Sequence, residues 1–222
     1  MTMSWGNFDN QDFYQELQAQ GLENYANMAG LASGCDLAFL QEYWKNANCI
    51  LDVGCGYGRA IDYLLKSNVF KGEIIGIERC EAFLEFLTKK YLTQHKVKIL
   101  KIDVHDPLPF DQKFDVILWL WSGIADFAAT EQLSIVCNLA KNLEKSGTFI
   151  IDTLPEKVTP VLAQEKSSQY FTTSLDNSTV HTYEPTKRQV FDYAKKAGFK
   201  NISRKICKTD IGRERALYIL RF

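Results

Sequence analysis

The sequence lacks a long apolar run, and this absence argues against a membrane protein. In 222 residues no apolar segment approaches the ~20 residues that a membrane-spanning helix needs, so we expect no membrane partner. The first residues also lack a basic region followed by an apolar block, from which we expect no signal peptide and a cytoplasmic location. The length fits one domain, and 46% hydrophobic with 24% charged residues is typical of a globular protein.

Closely spaced cysteine pairs are also absent. None of the six cysteines forms a C-x-x-C motif, and most of them lie inside apolar segments. This pattern favours buried thiols in a reducing compartment over disulfides or a zinc site, so we expect no metal. The cysteines stand at positions 35, 49, 55, 80, 137 and 207.

The chain has almost no net charge, but its charges are unevenly distributed. The formal net charge is −1, and from Lys187 onward eleven Lys or Arg residues accompany three acidic residues. A basic segment can bind phosphate-rich partners, whereas a solvated helix face and strand edge would explain it equally simply. We favour the second interpretation, because the basic residues alternate with apolar positions and form no block. Nucleic acid is therefore not the expected partner.

A glycine-rich loop is the strongest motif that the sequence does contain. Residues 50–58 read Ile-Leu-Asp-Val-Gly-Cys-Gly-Tyr-Gly, and apolar residues then recur at the spacing of a helix. The pattern predicts a strand, a loop and a helix. Glycines allow a tight turn and a close approach of a ligand to the main chain, while the helix directs free N–H groups into the loop. The helical positions are Ala60, Ile61, Leu64 and Leu65.

The spacing of the glycines separates two kinds of ligand. A dinucleotide-binding loop reads G-x-G-x-x-G, whereas here the third glycine, Gly58, comes one residue early. An acidic residue, Asp52, also precedes Gly54 by two positions. A nicotinamide dehydrogenase is therefore the weaker interpretation.

Two further acidic residues stand where predicted strands end. Glu78 closes the strand of residues 74–78, 24 positions after Gly54, which is near the separation at which an acid meets ribose hydroxyls in nucleotide-binding folds. A carboxylate suits this contact because it accepts two hydrogen bonds from a vicinal diol. Asp103 follows the strand of residues 97–102, where it can accept the exocyclic amine of adenine while the Val104 N–H meets a ring nitrogen.

Strands and helices alternate through the first two thirds of the chain, which predicts an α/β fold with a doubly wound parallel sheet. The fourth and fifth strands are expected at residues 114–120 and 148–153, and a helix is expected at residues 81–94. Residues 170–175 and 179–183 predict a hairpin. Residues 199–207 and 216–222 predict two antiparallel strands on a short link. The candidate ligand-binding residues all fall at the carboxyl ends of strands, where such sheets bind ligands.

Together these motifs resemble those of class I S-adenosylmethionine (SAM)-dependent methyltransferases, similar to the small-molecule enzymes of that superfamily. The resemblance covers residues 35–222 and rests on residues 51–59, Glu78, Asp103 and the Phe114-Asp115 pair. It implies a Rossmann-like doubly wound seven-stranded sheet whose last strand is antiparallel. It also implies one methyltransferase domain over residues 1–222. We expect a helical lid at 1–45, a SAM-binding core at 46–154, a hairpin cap after the fifth strand at 155–184, and a C-terminal helix with antiparallel strands at 185–222.

The resemblance also implies a cofactor, SAM, with S-adenosylhomocysteine (SAH) as its product. The glycines of the loop would pass the methionine part, Glu78 would hold the ribose, and Trp119 would border the sulfonium. Asp103 and Val104 would read the adenine. The complete set of expected cofactor-binding residues is Asp52, Gly54, Cys55, Gly56, Gly58, Glu78, Arg79, Asp103, Val104 and Trp119.

The expected reaction is an in-line methyl transfer to an oxygen or nitrogen atom of a small molecule. Aromatic faces attract a sulfonium through cation–π interaction, so Tyr14, Tyr25, Trp119 and Trp121 are candidates for the wall of the site, although plain packing explains each of them as well. His181 is a candidate base because its ordinary pKa suits the role, the alternative being an exposed hairpin histidine. The aromatic residues expected to bind substrate are Tyr14, Tyr25, Trp121 and Tyr170.

Two other functions remain open at the level of sequence. One is an RNA methyltransferase that uses the basic C-terminal region, and the other is a SAM-binding protein without turnover. The segment 119–122, Trp-Leu-Trp-Ser, differs from the Asn/Asp-Pro-Pro-aromatic motif of enzymes that methylate exocyclic base nitrogens. We therefore favour a small-molecule acceptor and expect a monomer or a homodimer.

Overall fold

A seven-stranded sheet lies at the centre of the protein. The computed structural model describes residues 8–222 apart from 157, 166 and 168, so the first seven residues of the expected lid lie outside the described part. The strands of this sheet are β1 (Cys49–Val53), β2 (Glu73–Glu78), β3 (Val97–Lys101), β4 (Phe114–Trp119), β5 (Leu143–Thr153), β9 (Asn201–Lys208) and β10 (Glu214–Arg221). The smaller strands β6 (Gln164–Glu165), β7 (Tyr170–Ser174) and β8 (Thr179–Tyr183) form a second sheet.

The strand order confirms the predicted doubly wound topology. The order is β3-β2-β1-β4-β5-β10-β9, and the first five strands of the chain run parallel. The last strand, β10, lies between β5 and β9 and is antiparallel to both. Since the chain order reverses at β1, the carboxyl ends of β1 and β4 open onto a crevice of the kind that binds ligands in α/β sheets.

Helices cover both faces of the sheet. Those of one face lie over the buried side chains of Ile50, Ile74 and Leu118, and those of the other face lie over Leu51, Ile75 and Phe149. The first group contains α1 (Gln11–Ala29), α2 (Cys35–Phe39), α3 (Gln41–Trp44), α4 (Arg59–Lys66) and α5 (Glu81–Lys90). The second group contains α6 (Ala129–Ala140) and α7 (Lys187–Lys196), while Gly123–Asp126 forms a short 3₁₀ helix after β4.

Several element boundaries differ from the sequence predictions. β5 begins at Leu143 instead of residue 148, because Leu143 pairs with Phe114 before a bulge shifts the register of the two strands. α5 ends at Lys90 instead of residue 94, since residues 91–93 form a turn. The predicted hairpin is present as β7 and β8, and the two-residue strand β6 adds to it a third strand that the sequence did not indicate.

The helix α1 and the hairpin β7–β8 together form a roof over the carboxyl ends of the sheet. The side-chain amide of Asn10 donates to the His181 carbonyl at 2.9 Å and accepts the His181 N–H at 3.0 Å, which imitates a pair of strand hydrogen bonds. Glu16 accepts hydrogen bonds from Asn177 and Ser178 in the turn of the hairpin. We call α1, Asn10 and the strands β7 and β8 the roof. No helix in the described part of the chain is long and apolar enough to cross a membrane.

The helix α1 is interrupted at Gln18, which has φ 56° and ψ 176°. The interruption separates a first segment that carries Phe13 and Tyr14 from a second that carries Leu22 and Tyr25. In the sequence, too, the apolar residues form two groups, with Leu17 before the interruption and Ala26 after it. Each segment can therefore cover a different part of the crevice.

Candidate active site

The glycine loop leaves β1 in a conformation that favours glycine. Gly54, Gly56 and Gly58 have φ of 63°, 55° and 85°, in the left-handed region. A side chain at Gly54 would point into open space, whereas one at Gly58 would meet the hydroxyl of Tyr91, which donates a hydrogen bond to the Gly58 carbonyl at 3.0 Å. Gly54 therefore faces the crevice, and Gly58 permits close packing of α5 against the loop.

A cleft of about 700 Å³ opens beside this loop, and we call it the first cleft. It lies at the carboxyl ends of β1, β2 and β4 and is closed from above by Gln11, Tyr14 and Leu22 of α1. Six of the predicted cofactor-binding residues line it, namely Gly54, Gly56, Glu78, Arg79, Val104 and Trp119.

The carboxylate of Glu78 is fixed at the floor of the first cleft by three backbone N–H groups. Oε1 accepts from Arg79 and Cys80 at 2.8 and 2.9 Å, and Oε2 accepts from Gly56 at 2.9 Å. Burial raises the pKa of Glu78, while these hydrogen bonds oppose the shift. The carboxylate thus has a fixed orientation and retains acceptor capacity on Oε2.

Asp103 does not itself line the first cleft, but its side chain bonds to Arg79, which does. Its Oδ2 accepts from Arg79 at 3.2 Å, and its Oδ1 accepts from the backbone N–H of His105 at 3.0 Å and lies 2.7 Å from Nδ1 of that ring. Burial opposes ionisation, but His105 and the charge of Arg79 outweigh it, so that the pKa of Asp103 is lowered. The neighbouring residues Ile102 and Val104 provide an apolar strip along the wall of the first cleft.

Asp52 and Arg59 lie on the other side of the loop, beside Gly54, Gly56 and Cys55. Oδ2 of Asp52 is buried and has no hydrogen-bond partner among the residues that the structure describes. Burial raises the pKa of Asp52 to about 7, although the charge of Arg59 lowers it. An unsatisfied buried carboxylate oxygen is costly unless a partner binds there, so this position favours a cationic group of a ligand.

Arg59 was quoted in the sequence motif but not predicted as a site residue. Its guanidinium forms two hydrogen bonds of 2.7 Å with the fully buried carboxylate of Asp36 and a third with the Leu31 carbonyl at 3.0 Å. This paired arrangement holds the segment before β1 against the start of α4. One sequence feature could have drawn attention to Arg59, namely its position directly after the last glycine of the loop.

A larger cleft of about 1,120 Å³ adjoins the first, and we call it the second cleft. Aromatic residues of α1 and Trp121 of the loop after β4 form its walls, and Val180 and Thr182 of β8 close it from above. The two clefts share the residues Tyr14, Leu22, Gly54, Gly123 and Asp126. A ligand in one cleft would therefore lie directly against a ligand in the other.

Comparisons with known proteins agree with this geometry. Residues 50–147 match the model of a family described as a methyltransferase domain. A crystal structure of a SAM-dependent methyltransferase from Clostridium acetobutylicum is similar, with 17% identity, coverage of 86% of this chain and 90% of that chain, and a TM-score of 0.66. No curated protein matches the sequence.

Two further solved structures share the fold. The glycopeptide N-methyltransferase MtfA, complexed with SAH, has 14% identity, coverage of 87% and 90%, and a TM-score of 0.68. CalS10, an amino pentose methyltransferase from Micromonospora echinaspora involved in calicheamicin biosynthesis, has 14% identity, coverage of 98% and 99%, and a TM-score of 0.62.

Residues 50–147 therefore match a methyltransferase domain, and the chain as a whole has the fold of SAM-dependent methyltransferases. The family match gives the methyltransferase domain, and the structural likenesses give the fold, which extends over nearly the whole chain.

Three of the four aromatic residues predicted to bind substrate line the second cleft. Tyr25 and Trp121 line the second cleft but not the first, whereas Tyr14 lines both clefts. The fourth, Tyr170, is buried and hydrogen-bonded to Nδ1 of His181 inside the roof. The expectation that Tyr170 belongs to the wall thus has no support from its position.

The candidate base His181 also points away from the second cleft. Side chains alternate along a strand, and it is Val180 and Thr182, on either side of His181, that line the cleft. The imidazole instead stacks on Phe8 and Tyr170, with ring centroids 5.9 Å apart in both cases. His181 is therefore positioned to join the two parts of the roof, not to contact a substrate.

The structure reveals an acidic residue at the junction of the two clefts that the sequence analysis did not single out. Asp126 accepts a hydrogen bond from the Tyr14 hydroxyl, which lies 2.9 Å from each carboxylate oxygen. Burial raises the pKa of Asp126 to about 7, the Tyr14 hydrogen bond opposes the shift, and the charge of Glu184 adds to it. The sequence feature that could have pointed to Asp126 is its position as the one acid in the otherwise apolar segment 123–127.

A second unpredicted acid, Glu184, lines the second cleft where β8 ends. It is 8% exposed, and its Oε2 accepts the backbone N–H of Leu154 at 3.2 Å. Burial raises the pKa of Glu184 to about 7, while Arg215 and a hydrogen bond with Ser122 lower it. The second cleft therefore contains two carboxyl groups that can hold or release a proton near neutral pH.

Among the described residues, no group of three or more His, Cys, Asp or Glu side chains is placed so that it could hold a metal ion. The six cysteines are free thiols.

Proposed function

We propose that this enzyme binds SAM in the first cleft and transfers its methyl group to a small molecule in the second. Three features around the glycine loop, on the side of the first cleft and behind it, fit SAM. Gly54 leaves room beside the main chain, Asp52 has a buried carboxylate oxygen that lacks a partner among the described residues, and Glu78 presents a fixed carboxylate. They suit the methionine chain, its ammonium group and the ribose hydroxyls respectively.

The adenine would lie along the apolar strip formed by Ile102 and Val104. Asp103, at the end of the same strand, is proposed to accept the exocyclic amine of the ring. Trp119 and Tyr14 would border the sulfonium, since aromatic faces attract a cation. The cofactor supplies a methyl group that its positively charged sulfur already activates for displacement.

The main support for methyl transfer between the two clefts is the wall that they share. Because Gly54, Gly123 and Asp126 belong to both clefts, an acceptor atom in the second cleft faces the donor end of the first. Holding two reactants in line can supply about 7–11 kcal/mol of a barrier, so alignment is the main contribution that these residues make. The roof excludes water from the contact and keeps the acceptor in place.

The enclosure of the second cleft supports a small-molecule acceptor. A cleft walled by residues of α1 and covered by Val180 and Thr182 of β8 suits a metabolite-sized group better than a folded macromolecule. Solved structures that share the fold include a glycopeptide N-methyltransferase and an amino pentose methyltransferase.

Ion pairs within the protein involve part of the basic C-terminal segment, which weakens the case for an RNA acceptor. Arg204, Lys205 and Arg215 form ion pairs with Glu156, Glu42 and Asp152 respectively. Their charges are thus partly compensated within the protein.

Calorimetric titration with SAM and SAH tests the cofactor assignment. The wild-type protein should bind both, and Glu78→Gln should weaken binding more than tenfold because one rigid acceptor is lost. Glu73→Gln is the matched control, since Glu73 lies at the other end of the same strand and is exposed. Binding of NAD without binding of SAM would contradict the assignment.

Turnover requires a separate assay. A mixture of small metabolites with SAM should release SAH, and fractionation of the mixture would then identify the acceptor. SAM binding without SAH release from any metabolite or RNA fraction would support the non-catalytic alternative.

A further inference from the structure

The charges around the second cleft do not balance. Asp126 and Glu184 both line it, and Glu184 is buried while Asp126 is partly buried. Arg215 also lines the cleft, but three hydrogen bonds join its guanidinium to Asp152 behind the wall. Arg213 approaches only from the exposed rim. The interior is thus acidic, with no uncommitted buried cation among the described lining residues.

Two carboxylates in one cleft are unfavourable when both are ionised, and Arg215, which favours the ionised form of Glu184, is shared with Asp152. The surroundings of Asp126 add to this, since Glu78 and Glu184 are like charges, and only Arg79 and the Tyr14 hydroxyl favour its ionised form. A positively charged ligand would remove the imbalance. A neutral alcohol would leave it in place, and an anion would increase it.

We infer, on the basis of the proposed methyl transfer, that the acceptor is a small amine whose ammonium group binds against Asp126 and Glu184. Its apolar part would rest on the aromatic side chains of Phe13, Tyr25 and Trp121, which line the same cleft. Asp126 is the proton acceptor of the pair, because it alone of the two belongs to both clefts.

The chemical step balances without any further reactant. An N–H bond of the ammonium breaks, its proton passes to a carboxylate oxygen of Asp126, and the electron pair stays on nitrogen. That pair then forms the new N–CH₃ bond while the S–C bond breaks and its electrons remain on sulfur. The products are a methylated ammonium ion, SAH and a protonated Asp126, which returns its proton to solvent.

A series of three ring compounds tests the inference by binding alone. Protein saturated with SAH would be titrated calorimetrically with cyclohexylamine, cyclohexanol and cyclohexanecarboxylate at neutral pH. These probes share one apolar ring and differ in charge. The amine should bind at least ~10-fold more tightly than the alcohol, which corresponds to about 1.4 kcal/mol, and the carboxylate should bind most weakly.

Proton release gives a second readout from the same experiment. Because an ammonium favours the ionised carboxylates, amine binding near neutral pH should release protons, and the apparent heat should then depend on the ionisation heat of the buffer. Asp126→Asn should reduce both this release and the preference for the amine, and Glu184→Gln should reduce the preference. Asp176→Asn, an exposed acid in the hairpin turn, is the matched control and should leave both unchanged.

The outcomes separate this inference from the proposed function. If SAH itself does not bind, the proposed function fails. If SAH binds but the alcohol or the carboxylate binds as well as the amine, the amine assignment fails and the methyltransferase assignment stands. Absence of cyclohexylamine binding at tens of millimolar also overturns the inference, since two carboxylates that line one cleft should retain an ammonium at that concentration.

Discussion

The guanidinium of Arg215 on β10 makes three hydrogen bonds with the carboxylate of Asp152 on the adjacent strand β5, at distances of 3.0, 3.3 and 3.0 Å. The same pair holds the loop after β4. Asp152 accepts the backbone N–H of Trp121 at 2.7 Å, and Arg215 donates to the Ser122 hydroxyl at 2.8 Å. Trp121 and Ser122 have φ of 51° and 56°, a conformation that costs on the order of 1–3 kcal/mol for a residue other than glycine.

Replacement of Arg215 by methionine should therefore destabilise the protein strongly. The carboxylate of Asp152 would remain buried without its partner, and the loop would lose a restraint, so we expect a loss of about 3–5 kcal/mol in the free energy of unfolding. Urea denaturation measures this change. Arg213→Met, two residues away and exposed, should stay within about 0.5 kcal/mol of wild type. Equal losses in the two variants would show that the ion pair does not stabilise the fold.

Gly54→Ala separates the strain of the loop from its role in binding. Gly54 has φ 63° and space for a methyl group, so the variant should fold with a loss of about 1–2 kcal/mol from the left-handed backbone. The methyl group would occupy the cleft where we propose that SAM binds, and SAM affinity should fall by more than tenfold in calorimetry.

Gly212→Ala is the matched control for this substitution. Gly212 has φ 78° and also faces open space, but it lies in the turn between β9 and β10. It should lose similar stability and bind SAM normally. A similar loss of SAM affinity in both variants would mean that the effect comes from general destabilisation and not from the cleft.

Tyr14→Phe should change the pH dependence of amine binding. The Tyr14 hydroxyl donates to Asp126 and lowers its pKa, so its removal should raise that pKa above its present value of about 7. A hydrogen bond to a charged group contributes about 1.5–3 kcal/mol, which corresponds to a shift of about one pH unit or more. The affinity of the SAH complex for cyclohexylamine, measured between pH 5 and 9, should have its midpoint displaced upward by that amount.

Tyr25→Phe provides the comparison, since Tyr25 lines the second cleft without appearing among the groups that shift the pKa of Asp126. Its midpoint should equal that of the wild type. If the midpoint of the pH dependence is unchanged in Tyr14→Phe, Asp126 is not the group whose titration controls amine binding.

The stability of the ligand-free protein should fall as the pH rises through the weakly acidic range. The pKa of Asp126 is raised from 3.8 to about 7 by burial, so the folded state holds a proton in this window that the unfolded state has lost. For each such proton, a rise in pH lowers the free energy of unfolding by up to about 1.4 kcal/mol per pH unit between the two pKa values.

Asp126→Asn should make this decline shallower by up to that amount between pH 4 and 7, as measured by urea denaturation at several pH values. Asp176→Asn, on the exposed turn, should reproduce the wild-type slope. A slope that is the same in all three proteins would show that Asp126 is not protonated in the folded state.

The fold and the cofactor assignment could be predicted because their signals are local. The loop of Gly54 follows directly from the residues around it, and Glu78 ends an apolar strand within the same supersecondary unit. The roles of individual residues were predicted less well. Gly58 carried the same sequence signal as Gly54, yet it contacts Tyr91, and this depends on how α5 packs against the loop.

The acidic character of the second cleft could not be predicted from local patterns. Asp126 and Glu184 lie 58 positions apart in the sequence, and the fold alone places both at one cavity. Their raised pKa values arise from burial, which a sequence does not display. For the same reason Arg215 was counted only as part of a basic segment, although its partner Asp152 is on the neighbouring strand.

The hydrogen bonds between Asn10 and the backbone of His181 join residues 171 positions apart, and they make the roof a unit that covers both clefts at once. Neither ligand can then reorder the roof without affecting the other. We expect the two to bind cooperatively, with SAH raising the affinity for cyclohexylamine about fivefold or more and the amine raising that for SAH by the same factor. Titrations in both orders measure this reciprocity. If each ligand binds with the same affinity whether or not the other is present, the roof does not couple the two clefts.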